Sequence, residues 1–125
     1  MDAEQLAAGL AERMREVVPP GIRIQEVGDT IWFADDSPSA RSGGAGTYAC
    51  QVLHKDGDPE HRLVEACWRA LDDLQDFIDE STTEPWPGTR NVPRPGAYID
   101  GDEVLLWYGD IRHPALRLRP IPLER

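Results

Sequence analysis

Asp73, Asp76 and Glu80 stand at spacing i, i+3, i+7, which on a helix places three carboxylates on one side. Asp72 and Asp79 lie next to them. Such a set could hold a divalent cation through its oxygens. Neither a glycine-punctuated calcium loop nor a second acidic segment of metal-site spacing accompanies it. The pattern therefore reads as a solvated or partner-binding face, with Asp72, Asp73, Asp76 and Glu80 as contact candidates and no metal. Acids near a helix C-terminus oppose the macrodipole, a small cost that a role in recognition would explain.

The remaining reactive residues give weaker patterns. Cys50, His54, His61 and Cys67 match no usual zinc module, and Cys67 belongs to an apolar stripe, so both cysteines read as free thiols. Cys50 and His54 would share a face if that segment is a strand. A pairing of Cys50 or Ser42 with His54 or His113 as nucleophile and base has no supporting motif. "ARSGGAG", Ala40 to Gly46, has the glycines of a phosphate-cradling loop. It lacks the Lys-Ser/Thr ending and the following helix, and reads as a long loop whose Arg41 is a candidate partner contact. In "EPWPGTR", Glu84 to Arg90, Trp86 stands between two prolines. Either it plugs the core and tethers the connection, the favoured alternative, or it faces outward beside Arg90 as a binding residue. No cofactor motif is present.

The elements that would carry these residues can be read from periodicity. Leu6, Leu10, Met14, Val17 and Val18 have helical spacing, and Asp2 with Gln5 resembles a capping box, so a helix is expected over 2–18, ending before Pro19-Pro20. Ile22 to Phe33 reads as a hairpin with a Gly-Asp turn, and Thr47 to Leu53 as a third strand. Asp58-Pro59 is an N-cap followed by proline at the first helical position. Leu63, Val64, Cys67, Leu71, Leu74 and Ile78 then mark a second helix of about six turns. A proline-rich connection runs to Gly96. Tyr98-Ile99, a turn signalled by Asp100-Gly101, and Val104 to Tyr108 make a second hairpin, and Ala115 to Arg119 a last strand ending at Pro120.

The order is α-β-β-β-α-β-β-β, and the expected class is α+β, one domain over 1–125 with two helices packed on an antiparallel sheet. At an offset of 75 without gaps, Pro20 matches Pro95, Gly21 Gly96, Ile24 Ile99, Trp32 Trp107 and Asp35 Asp110. The halves 2–53 and 58–119 are thus a candidate pseudo-repeat, with chance recurrence of hairpin motifs as the alternative. Trp32 and Trp107 would be structural, one side packing on a helix, and Asp35 and Asp110 would cap turns.

The chain has 125 residues and a formal charge of −10. No nucleic-acid partner is expected for it, since affinity for a phosphate backbone comes from many Lys and Arg contacts. The N-terminus has neither the apolar run of a signal peptide nor that of a membrane span, so no membrane partner and a cytoplasmic location are expected. Ten carboxylates lie between Asp56 and Glu84 against Arg62 and Arg69, whereas four arginines and one acid follow Asp110. This asymmetry suits a basic protein partner or a homodimer.

"PWPGTR", "LWYGD" and the closing "PIPL" resemble small acidic actinomycete proteins of unknown function, over most of the chain. The resemblance implies no activity and no catalytic residues. The element order is similar to that of secretion-chaperone-like α+β folds, an analogy of fold alone. Together these readings suggest a non-enzymatic protein-binding module, chaperone-like or regulatory, that uses a sheet face or edge with the acidic helix. The alternatives are an acidic immunity or inhibitor protein covering a basic toxin or nuclease, and a small-molecule binder or enzyme with a pocket near His54 or His113.

Overall fold

Asp2 starts the first helix as its spacing to Gln5 predicts. In a computed structural model that describes residues 1–40, 43–88 and 92–124, Asp2 Oδ1 accepts the Gln5 N–H at 2.8 Å and Gln5 Oε1 accepts the Asp2 N–H at 3.0 Å. Two N–H groups without helical partners are thereby satisfied. Helix α1 spans Ala3–Arg15 and buries Leu6, Leu10 and Met14 completely. It ends before the expected Val18. Val17 and Val18 continue only as turns on the Met14 carbonyl and rest half-buried on the core. Helix α2 spans Pro59–Thr82, with Asp58 accepting the Glu60 N–H and Pro59 in the first turn. It stops where Thr83 takes a left-handed φ of 57°.

The strands are β1 (Ile22–Val27), β2 (Thr30–Asp35), β3 (Ala45–Thr47), β4 (Pro95–Asp100), β5 (Glu103–Asp110) and β6 (His113–Pro122). The α+β class and the element order are those read from the sequence. The strands, however, form two antiparallel sheets, β1-β2-β3 and β4-β5-β6, where a single layer was expected. The third strand is also shorter than predicted. It ends at Thr47, and Ala49–His54 form a 3-10 helix, because the Thr47 hydroxyl accepts the Ala49 N–H at 3.2 Å and turns the chain. Ala49, Cys50 and Val52 are then buried where the 3-10 helix packs on α2. Strand β6 is longer than expected and includes Pro114, Pro120 and Pro122. As an edge strand it need not donate along its outer side, so proline is tolerated.

Each helix packs on the first strand of the sheet that follows it and also meets the last strand of the other sheet: α1 on β1 and β6, α2 on β4 and β3. Arginines of α1 reach both neighbouring edges. Arg15 Nε donates to the Ile24 carbonyl at 3.0 Å, and the buried Arg13 donates to the Pro120 carbonyl through Nε at 3.3 Å and Nη2 at 3.1 Å. Carbonyls at two sheet edges gain donors from one helix, which restrains those edges from pairing with another chain.

The two hairpins turn at Gly28-Asp29 and Gly101-Asp102, since Val27 pairs with Thr30 and Asp100 with Glu103. Glycine supplies the positive φ at the first turn position, 63° and 59°, the requirement of a II′ turn, and the second turn lies one residue beyond the expected Asp100-Gly101. These turns are 73 residues apart. The 75-residue match of Trp32 with Trp107 therefore does not follow the register: Trp32 lies opposite Gln25, and Trp107 opposite Gly96.

The tryptophans do not pack on helices as expected. Strand alternation puts Ile31 and Phe33, and likewise Leu106 and Tyr108, on the buried faces. Phe33 meets Phe77 of α2 with ring centroids 5.7 Å apart, and the Tyr108 hydroxyl donates to the Leu71 carbonyl at 2.6 Å. Trp32 and Trp107 instead lie over cross-strand glycines. A Cβ on Gly46 would stand 2.8 Å from Trp32 Cε3, and one on Gly96 would stand 2.4 Å from Trp107 Cε2. Each indole covers the backbone of a glycine that has no side chain to shield it. Asp35 and Asp110 do cap turns, accepting the N–H groups of Ser37 and Arg112, each at 2.9 Å.

Candidate functional site

Helix α2 is long enough to present different chemistry on its two flanks. Its 3.6-residue period places Arg69, Asp72, Asp73, Asp76 and Glu80 along one flank. These residues form one wall of a groove of about 460 Å³ whose opposite wall is Ala45, Gly46 and Tyr48. Phe33, Phe77 and Val52 supply its apolar lining. The groove thus brings together the four carboxylates proposed from sequence, with Arg69 as the single cation among its lining residues.

The carboxylates differ in their surroundings. Asp73 Oδ2 accepts the Thr47 hydroxyl at 2.6 Å, joining α2 to the end of β3. Because Thr47 is buried and also accepts the Ala49 N–H, this bond sets the distance between the two walls. Asp72 is half-buried. Burial holds its carboxyl above the ordinary range, with the negative charges of Asp76 and Asp73 adding and Arg94 opposing. Asp76 and Glu80 are exposed. Like charges crowded on one partly desolvated wall raise the local affinity for a cationic group.

The opposite flank of α2 holds the proline-rich connection. Gln75 Nε2 donates to the carbonyls of Trp86 at 3.1 Å and Pro93 at 2.5 Å. Asp79 accepts the Trp86 N–H at 2.8 Å, and burial raises its carboxyl pKa in spite of that bond, with Asp76 adding to the rise. Trp86 is half-buried against the core and meets Tyr108 edge to face, with ring centroids 5.0 Å apart. It is the plug of the connection and stands apart from the acidic groove. Arg41 and Arg90 lie outside the described residues, as does Ser42.

Tyr48, which lines the groove, and Trp32, its neighbour on the outer face of β2, escaped the sequence reading. Tyr48 is 54 % exposed and Trp32 43 % exposed, and their rings meet edge to face at 6.1 Å. The available signal was parity: Trp32 alternates with the buried Ile31 and Phe33, and Gly46, its cross-strand partner on β3, leaves room for its ring. Tyr48 itself carried no such signal, since it was placed inside a strand that ends one residue earlier.

The other reactive groups do not converge. Cys50 and Cys67 are buried free thiols, and burial pushes the Cys50 thiol up to about 12 and the Cys67 thiol higher still. His54 is exposed, with Nε2 3.7 Å from Asp29, and His113 is exposed at the start of β6 on the other sheet. Among the described residues, no three His, Cys, Asp or Glu side chains are grouped to hold a metal ion, and no helix is long and apolar enough to cross a membrane. A scan against protein-family models finds no matching family, and searches of curated proteins and of solved structures return no match.

Proposed function

We propose that this chain is a non-enzymatic protein-binding module, acting in the cytoplasm as a chaperone-like or regulatory partner, that takes up an extended, basic segment of another protein in the groove between α2 and β3. The observation that carries the reading is the composition of the groove. Four carboxylates form one wall, apolar side chains lie between the walls, and the exposed Tyr48, whose ring meets Trp32 edge to face, stands on the other side. Among the described residues, strand β3 pairs with β2 on one side only, so an incoming strand has an edge to join. Main-chain pairing would give affinity and alternate side chains specificity. Basic residues of the segment would meet Asp72, Asp76 and Glu80, and apolar ones would enter between the walls.

The experiment is a titration of the chain with two synthetic peptides of equal length, one alternating lysine with leucine and one alternating glutamate with leucine, followed by tryptophan fluorescence. The lysine peptide should bind, perturb Trp32 emission, and weaken steeply as salt rises. Replacing Asp72, Asp73 and Asp76 by asparagine should remove most of that affinity. Equal binding of both peptides, or affinity indifferent to salt, would sink the proposal. The inhibitor alternative makes a different demand: a folded basic protein would be bound and the lysine peptide would not.

A further inference from the structure

The outer face of the second sheet is a separate surface, and we infer that it joins two copies of this chain in an isologous dimer. Alternation along β4 and β5 turns Tyr98, Leu105 and Trp107 away from the helices. Tyr98 pairs directly with Leu105. Ile111, in the turn that follows β5, lines the same depression of about 360 Å³ as Leu105 and Trp107. Tyr98 is 56 % exposed and Ile111 49 % exposed. The elements packed on β5 are its neighbours β4 and β6 and, on the inner side, α2. A contiguous apolar strip on the outside of a small sheet is the kind of surface that marks an interaction site.

Charge identifies the occupant. Glu103 lies at one end of the strip and Arg117, opposite Trp107 on β6, toward the other. Four residues of β5 separate the two positions, roughly 13 Å at strand rise. Both side chains are exposed, and among the described residues neither is in an ion pair or a side-chain hydrogen bond. A surface with acid at one end, base at the other and apolar side chains between is complementary to itself after a two-fold rotation, which brings Glu103 of each copy to Arg117 of the other. An unrelated partner would need no such internal match. Arg119, the next arginine on β6, is already engaged by Glu12 and Glu16 of α1, so Arg117 is the residue left to serve the strip. The interface is independent of the acidic groove, which lies between α2 and the other sheet.

Sedimentation analysis of the unaltered chain over a wide concentration range should show a reversible monomer–dimer equilibrium. Glu103→Arg and Arg117→Glu each create two like-charge contacts across the two-fold axis, and each should weaken dimerisation roughly tenfold or more at low salt. The decisive sample is an equimolar mixture of the two variants. One chain then offers arginine at both positions and the other glutamate at both, so the mixture should dimerise while each variant alone stays monomeric. An unaltered chain that is monomeric throughout the range overturns the inference without any variant. Dimers that survive in both single variants, or a mixture no tighter than its components, overturn it as well. Circular dichroism of each variant identifies any loss of fold.

Discussion

Asp76 occupies an unfavourable place on α2, and neutralising it should make the protein more stable. Its neighbours at i−4, i−3, i+3 and i+4 are Asp72, Asp73, Asp79 and Glu80, so every side chain that a helix brings alongside it on those four positions is a carboxylate. A like-charge pair at such spacing costs about 0.2–0.5 kcal/mol at low salt. Four of them sum to about 1–2 kcal/mol, and screening at an exposed site brings the expectation for Asp76→Asn to about 1 kcal/mol of added stability, or about 3–5 °C in Tm for a chain of this size. Urea unfolding of both proteins at low ionic strength measures the gain, and at about 1 M salt, where the Debye length is near 3 Å, most of it should vanish. The pH dependence has a definite sign. Burial and Asp76 raise the carboxyl pKa of Asp72, and burial with Asp76 also raises that of Asp79. The fold therefore favours their protonated forms, and their penalty is absent below the ordinary carboxylate range and grows as pH rises through the raised values. In the Asp76→Asn protein both carboxyls should titrate closer to the ordinary range by NMR, and the fall in stability across that window should be shallower. A variant that is unchanged or less stable at low salt would show that Asp76 is compensated within the fold and would remove the argument that this flank is held ready for a cationic partner.

Two further outcomes test the packing. Gly96→Ala would place a Cβ 2.4 Å from the Trp107 ring, displacing an indole whose Nε1 donates to the Gly109 carbonyl at 3.0 Å, at an expected cost of about 1–3 kcal/mol; Gly43→Ala, with no atom within 4 Å of the added carbon, is the control, and equal denaturation midpoints would refute the role given to Trp107. Cys50 and Cys67 are buried with thiol pKa values raised by burial, so both should resist alkylation in native buffer and react on unfolding; rapid native labelling of either, read by mass spectrometry, would contradict the packing of the 3-10 helix on α2.

Local signals accounted for the helices and hairpins because each is built from interactions a few residues apart. The Asp2–Gln5 box, the Asp58-Pro59 start and the Gly28-Asp29 turn all satisfy backbone groups within their own segment, so residue type and spacing suffice to place them; the turn expected at Asp100-Gly101 falls one residue later. The carboxylate flank of α2 was legible for the same reason: a helical period turns sequence spacing directly into a shared face. What faces that flank could not be read this way. The Thr47–Asp73 bond spans 26 positions, and it ties the end of β3 to α2 so that Tyr48 stands across from the acids. Trp32 and Trp107 carry the same lesson. Their sequence neighbours are nearly interchangeable aromatics, and parity alone does not say which member of a W-aromatic pair turns inward. That choice follows from which side of each strand finds a helix, Phe77 beside Phe33 and Leu71 beside Tyr108. The same limit explains Trp86, whose two prolines restrict its backbone, while its burial depends on Gln75 and Asp79 of α2 and Tyr108 of β5 meeting it from two separate elements. Sequence by itself determined the class, the order of elements and the acidic face, all set by local periodicity. The division into two sheets, the sealing of β1 and β6 by α1, and the pairing of acids with exposed aromatics were decided by tertiary structure, because each depends on contacts between segments whose separation along the chain carries no information about their distance in space.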